Sequence, residues 1–199
     1  MNLYAISNRI RYLLIEKPRG IDFSLSDSSF TTEEAQDNYY SRTDTSTLKQ
    51  IKRYLHLTNT DALLDIGCGK GYVLYYFSKL GIRKLSGIEK YQNYCNIAYK
   101  NLRILKIDAK ANVICCDAIQ FMHYDEYNIY FMFNPFREET ADIILKRIVN
   151  SITFRPRRIT LISVQDFLDA VIIKNGFIET QVIISKLTGV KTHIYSLGE

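Results

Sequence analysis

Leu63-Leu64-Asp65-Ile66-Gly67-Cys68-Gly69-Lys70-Gly71-Tyr72 is the stretch whose reading decides the fold. A short apolar run ends in an acid and a glycine turn. The apolar sequence Tyr72-Val73-Leu74-Tyr75-Tyr76-Phe77-Ser78-Lys79-Leu80 follows and stops at Gly81. This reads as a buried parallel strand, a tight loop and a helix. Glycines at alternate positions let the backbone turn sharply and let a ligand approach the main chain where a Cβ would clash. The helix N-terminus behind the loop offers unpaired N–H groups to a negative or polar ligand group.

Working outward, strand and helix patterns alternate. The spacing predicts strands over 62–67, 84–89, 112–117, 127–133 and 158–164, and helices over 71–80, 91–106, 138–153 and 166–174, with a short helical piece at 118–122. The inward candidates are Cys95, Ala98, Leu102 and Leu105 on the second of these helices, and Ile143, Ile144, Ile148 and Ile152 on the third. Two last strands, 177–185 and 191–197, flank Thr188-Gly189 and must run antiparallel to each other. The fold expected is α/β: a three-layer, doubly wound, mostly parallel seven-stranded sheet of Rossmann-like type with a C-terminal antiparallel hairpin. Residues 1–57 form an N-terminal helical extension or lid, and 58–199 the main domain. Within the extension, helices are predicted at 3–16, with Ile6, Ile10, Leu13 and Leu14 on one side, and at 45–57, capped by Thr45 or Ser46. Residues 21–38 read as a loop.

Composition narrows the function. The length suits one compact domain. No apolar run is long and charge-free enough to span a bilayer, and the N-terminus lacks the pattern of a secretion signal. A cytoplasmic protein without a membrane partner is expected. The four cysteines, Cys68, Cys95, Cys115 and Cys116, form no CxxC and have no zinc-ligand spacing with His56, His123 or His193. Reduced structural thiols and no metal are expected. The net charge is +5, with basic clusters at Lys49/Lys52/Arg53 and Arg155-Pro156-Arg157-Arg158. They are compatible with an anionic partner, but a solvated face is the preferred reading, since no groove-reading motif appears.

In a doubly wound sheet, ligands sit beyond the carboxyl ends of the strands. Asp65, Glu89, Asp117 and Asn134 all fall at such ends. Glu89 lies about twenty residues beyond the loop, the spacing of an acid that binds ribose hydroxyls. A dinucleotide fingerprint would carry its last glycine where Tyr72 stands, which disfavours a nicotinamide-dependent oxidoreductase.

Asp65-Ile66-Gly67-Cys68-Gly69-Lys70-Gly71 resembles the signature loop of class I, seven-strand S-adenosylmethionine-dependent methyltransferases, and the resemblance covers residues 62–197 in element order. It implies that S-adenosylmethionine is the cofactor and S-adenosylhomocysteine the product. Gly67, Cys68, Gly69 and Gly71 would pack against its methionine part, and Asp65 would help hold the amino group. Glu89, with Lys90 beside it, would take the ribose hydroxyls, and Asp117, with Ala118 next to it, the adenine amine. Singly, Asp65 reads equally as a helix cap and Asp117 as a helix start. Upstream, Lys17-Pro18-Arg19-Gly20-Ile21-Asp22 and Tyr40-Ser41-Arg42-Thr43 are similar to the leader of an uncharacterised bacterial group of these enzymes, related in turn to seven-strand protein-lysine methyltransferases. There a Tyr-x-Pro-Thr segment lies near the cofactor, which points to Tyr40 and Thr43; here Arg42 replaces the proline.

Asn134-Pro135-Phe136 resembles the Asn-Pro-Pro-aromatic motif of methyltransferases acting on exocyclic amines of bases or on glutamine, without the second proline. An amine acceptor needs hydrogen-bond acceptors that aim its lone pair at the methyl. Asn134 offers a side-chain carbonyl, Pro135 a backbone carbonyl without an N–H, and Phe136 a packing face. The expected activity is methyl transfer to an amine nitrogen: a protein lysine first, then a nucleic-acid base or a small amine. A regulatory module that binds the cofactor without transferring methyl is the alternative of a different class.

Overall fold

The computed structural model describes residues 3–24, 42–133 and 136–198. Helix α1 (Leu3–Arg11) runs into a π-helical turn (Tyr12–Glu16) and a 3-10 turn (Lys17–Arg19). Gly20 then reverses the chain at φ +74°. Thereafter come α2 (Thr45–Leu55), β1 (Ala62–Ile66), α3 (Tyr72–Phe77), β2 (Lys84–Glu89), α4 (Gln92–Ile104), β3 (Asn112–Cys115), β4 (Ile129–Phe133), α5 (Glu138–Phe154), β5 (Ile159–Val164), α6 (Asp169–Lys174), β6 (Ile178–Ile184) and β7 (Lys191–Leu197). Two 3-10 turns, Ala118–Gln120 and Tyr124–Glu126, lie between β3 and β4.

The seven strands form one sheet in the order β3-β2-β1-β4-β5-β7-β6, parallel except for β7, which is antiparallel to both neighbours. The order reverses between β1 and β4, so the carboxyl ends of β1, β2 and β4 border the switch point. Strand residues alternate between two cores. Leu63, Phe131 and Ile162 join α3, α4, Leu48 and Ile51 of α2, and Ile21 and Phe23 of the N-terminal arm on one face. Leu64, Tyr130, Met132 and Leu161 join Ile144, Leu145 and Ile148 of α5 and Ile172 of α6 on the other. Among the described residues no helix is long and apolar enough to cross a membrane.

Local chemistry departs from the sequence expectation in four places. The cap of α2 is Asp44, not Thr45 or Ser46: its carboxylate accepts from the Thr47 N–H at 2.9 Å and from both the Ser46 and Thr47 hydroxyls. The π-turn widens the end of the first helix and turns Glu16 inward, leaving Ile10, Leu13 and Leu14 exposed. On α5 the inward stripe is Ala141, Ile144, Leu145 and Ile148, while Ile143 faces out. Cys95 and Cys115, expected as reduced thiols, are joined as a disulfide, because the first turn of α4 lies over the end of β3 with the two Cα atoms 5.8 Å apart. Motif spacing cannot reveal a pair assembled from two elements twenty residues apart. Cys68 and Cys116 are free.

Candidate cofactor and acceptor site

The glycine loop folds back over the end of β2. Gly67 and Cys68 both donate to the Ile88 carbonyl at 2.9 Å, and Gly71 donates to the Cys68 carbonyl at 2.9 Å. Gly67, Gly69 and Gly71 all have positive φ, which a side chain would strain. A Cβ at Gly71 would also press on Ala98 of α4 at 3.4 Å. Beneath the loop, Gly87 of β2 leaves the space that Cys68 fills: a Cβ there would lie 2.5 Å from Cys68 Cβ and 2.6 Å from its Sγ. The sequence reading passed over Gly87, although a glycine inside a strand pattern signals close approach of another segment.

Glu89 closes the loop from below. One carboxylate oxygen accepts from the Gly69 N–H and the other from the Tyr91 N–H, each at 2.9 Å. Burial pushes its carboxyl up, and the N–H donors of Tyr91, Gly69 and Lys90 oppose that. Asp65 is buried, its side chain makes no hydrogen bond among the described residues, and its Oδ2 is orphaned. It therefore caps no helix. Burial, and after it the charge of Glu89, holds its carboxyl well above the usual carboxylate range. Burial and the same two acids push the Cys68 thiol up, so it is no nucleophile.

Farther along the edge, Asp117 caps its 3-10 turn through the Ile119 N–H at 2.9 Å and pairs with Lys90 at 3.7 Å. It is thus a helix start, with its second carboxylate oxygen turned toward Lys90. Ala118 is buried, and its carbonyl accepts from the Tyr124 hydroxyl at 2.8 Å. Thr43 is buried at the foot of α2. Phe136 is half-buried and packs against the α5 core. Tyr40, Asn134 and Pro135 lie outside the described residues. Met132 of β4 stands in register with Ile66 of β1, so the strand leading to Asn134 ends beside the glycine loop.

The N-terminal arm is fastened to this loop by polar contacts that sequence reasoning did not anticipate. Lys70 is fully buried, and its ammonium sits 3.3 Å from the Asp22 carboxylate and 3.0 Å from the Ser24 carbonyl. Asn101 of α4 binds the Asp22 backbone at both N–H and C=O and donates to the Lys70 carbonyl. Glu16, also buried, pairs with Arg11 at 3.0 Å and Arg42 at 3.2 Å. The Arg42 guanidinium lies over the Tyr72 ring at 4.6 Å, and the Tyr72 hydroxyl meets Thr45 at 2.7 Å and Arg11 at 3.1 Å.

The residues fit the expected cofactor. Two buried carboxylates, one with an orphaned oxygen, raise the local demand for a cation, and the amino group of S-adenosylmethionine supplies one. Comparison with known proteins agrees. The protein-L-isoaspartate(D-aspartate) O-methyltransferase family matches residues 28–136, more than half of the chain. No curated protein matches in sequence. Among solved structures, an RNA methyltransferase from Salinibacter ruber in complex with S-adenosylhomocysteine superposes with TM-score 0.62 at 14% identity, over 80% of this chain and 95% of that one. The glycopeptide N-methyltransferase MtfA gives 0.65 at 9% over 78% and 96%. Geranyl diphosphate C-methyltransferase from Streptomyces coelicolor gives 0.57 at 12% over 86% and 85%. At these identities the likeness is one of fold, whereas the family match reaches across the glycine loop, Glu89 and Asp117. The chain belongs to the protein-L-isoaspartate(D-aspartate) O-methyltransferase family and is an S-adenosylmethionine-dependent methyltransferase of class I fold.

Proposed function

We propose that the protein transfers the methyl group of S-adenosylmethionine to an amine nitrogen, held by Asn134, Pro135 and Phe136. The observation that supports this reading is the end of β4 at Phe133 beside the glycine loop, on the edge where Asp65 and Glu89 stand, with Asn134-Pro135-Phe136 next in sequence. The cofactor, when bound, supplies an electrophilic methyl on a sulfonium centre. Asp65 holds its amino group, Glu89 the ribose hydroxyls and Asp117 the adenine amine, while the loop glycines and Cys68 pack its methionine part. Tyr40 and Thr43 contribute from the arm. The carbonyls of Asn134 and Pro135 take the N–H bonds of a neutral amine and aim its lone pair. Catalysis is then mostly positioning. The charge disperses in the transition state, so an apolar site does not oppose it, and the surplus amine proton leaves to solvent afterwards.

A protein side chain is the acceptor class placed first, a lysine in particular. The family's named activity is on a protein residue, and the leader at 17–22 and 40–43 resembles that of a bacterial group related in turn to protein-lysine enzymes. Residues 1–57 act as the cap that selects the acceptor, in a cytoplasmic setting. A second reading, O-methylation of a side-chain carboxylate, is favoured by the family match itself. One experiment separates the two. Labelled methyl is transferred into a cell lysate, and the labelled fraction is treated with protease, ribonuclease and alkali. Protease-sensitive, alkali-stable label supports N-methylation of protein; alkali-labile label supports the ester. Asn134→Ala should abolish turnover while S-adenosylhomocysteine still binds, and unchanged turnover would overturn the role of Asn134.

A further inference from the structure

We propose that Asp169, Glu179 and His193 form a site for one divalent cation of the zinc class, clasping the outer edge of the sheet to α6. The inference is independent of the reading of methyl transfer. Each residue comes from a different element, and one ligand atom of each lies within 4.8 Å of the other two. His193 Nδ1 is 2.6 Å from Glu179 Oε1 and 3.5 Å from Asp169 Oδ2. The imidazole forms the floor at 8% side-chain exposure, with the carboxylates rising to 25% and 42%, so the cup opens to solvent.

Charge makes this cluster unusual. A ring nitrogen carries one proton and satisfies one carboxylate, yet two converge on it. Among the described residues neither Asp169 nor Glu179 pairs with a Lys or Arg; the nearby Lys191 is spent on Asp166 at 3.5 Å. A divalent cation balances two carboxylates where a single proton cannot.

The surroundings are built around the same atoms. A bulge in the β6–β7 pairing falls between Glu179 and Gln181, and bulges re-aim side chains. The Tyr195 hydroxyl donates to Asp169 Oδ1 at 2.6 Å and so fixes that carboxylate. The Tyr195 ring lies beside the imidazole, 6.2 Å between centroids and nearly parallel. Ser163 stands directly opposite His193 in the antiparallel β5–β7 pair, hence on the same face. Its buried Oγ and His193 Nε2 both lack a partner. When Nδ1 holds a metal, the ring proton moves to Nε2, the buried nitrogen that otherwise has no partner and that shares its face of the sheet with the Ser163 oxygen. One nitrogen and two carboxylate donors suit Zn2+ or Co2+, with water completing the sphere; Ca2+ would need more oxygens. Metal-motif spacing could not have found it, since the ligands are scattered over three elements.

The test titrates the full chain, freed of metal by chelation, with Co2+ and follows the visible absorption bands. One Co2+ per chain is expected, displaced by Zn2+, with no sulfur-to-metal charge-transfer band, and Zn2+ should raise the melting temperature. Glu179→Gln keeps an oxygen to accept from His193 and so preserves the fold, but should weaken Co2+ binding by roughly tenfold or more. Asp169→Asn should do the same, whereas Asp166→Asn should leave the affinity unchanged. Circular dichroism checks that each variant is folded. The proposal is overturned if the wild type takes up no stoichiometric Co2+, if both ligand variants bind as well as wild type, or if a charge-transfer band shows that the free Cys116 thiolate holds the ion.

Discussion

Gly87→Ala tests how the cofactor loop is seated. In an ordinary strand the added methyl would stabilise by about 0.5–1 kcal/mol through lost unfolded-state freedom. Here the methyl lands 2.5 Å from Cys68 Cβ, 2.6 Å from Cys68 Sγ and 3.0 Å from Leu74 Cδ1. Cys68 cannot swing aside alone, because its own N–H and that of Gly67 are bound to Ile88 one residue farther along the same strand. The whole loop must rise. Overpacking of this kind costs about 1–3 kcal/mol, so after that gain the net loss is up to about 2.5 kcal/mol and centred near about 1 kcal/mol, a fall of roughly 2–4 °C in melting temperature at the centre for a chain of this size. Lifting the loop also breaks the Gly69–Glu89 contact, so affinity for S-adenosylhomocysteine, measured by calorimetric titration, should fall more than the stability loss alone explains. The double variant Cys68→Gly/Gly87→Ala removes both overlapping atoms and should regain much of the binding. A Gly87→Ala protein with wild-type affinity and melting temperature would refute the reasoning.

Three further outcomes follow from the same geometry. Glu89→Ala removes a buried carboxylate that holds two backbone N–H groups and is proposed above to hold the ribose hydroxyls; S-adenosylhomocysteine binding should weaken by about 1.5–3 kcal/mol, with Glu89→Gln intermediate by the same titration. The Asp65 carboxyl is raised in the folded protein, so its ionised form costs stability increasingly as pH rises through its folded value; an ammonium bound beside it reverses that. Cofactor binding should therefore release a proton and tighten with rising pH, read as buffer-dependent heats, and both effects should vanish in Asp65→Asn; heats independent of the buffer would contradict this. For Asp44, burial pushes the carboxyl up but the Ser46 and Thr47 hydrogen bonds win, leaving it lowered. Its contribution is present above the ordinary aspartate range and is lost as pH falls through the folded value. Asp44→Ala should cost about 1 kcal/mol in denaturant unfolding at neutral pH, while Asp44→Asn keeps the cap and loses the acid dependence.

The sheet was legible because its central strands β1, β4 and β5 are short runs rich in apolar residues, and because acids recur at the carboxyl ends of β1 and β2 and just past the end of β3. The position of Glu89 was readable from spacing alone, since a helix of fixed rise separates it from the loop. What stayed hidden depends on atoms brought together from distant parts of the chain. The burial of Lys70 is invisible without knowing that Asp22 and Asn101 converge on it. Arg42 reads as a lost proline in sequence, yet it fills a buried pair with Glu16. The cap of α2 lies one or two residues before the expected position because Asp44, Thr45 and Ser46 are all good capping residues, and only geometry chooses among them.

Tyr72 carries the last step. A dinucleotide-binding loop spends its final glycine on bringing helix and strand into close contact. In this chain Gly71, one residue earlier, provides that closeness, with Ala98 of α4 where a Cβ would press. Position 72 is thereby released from the need to be small, and a tyrosine there reaches out of the loop to Arg11, Thr45 and Arg42. Lys70 makes the corresponding contact to Asp22 and Ser24 on the other side. The described parts of the arm, before residue 25 and after residue 41, are thus each anchored within two residues of Gly71. The cofactor loop and the described parts of the N-terminal arm share one polar core, so a substitution at Asp22, Arg42 or Thr45 is expected to act on cofactor binding.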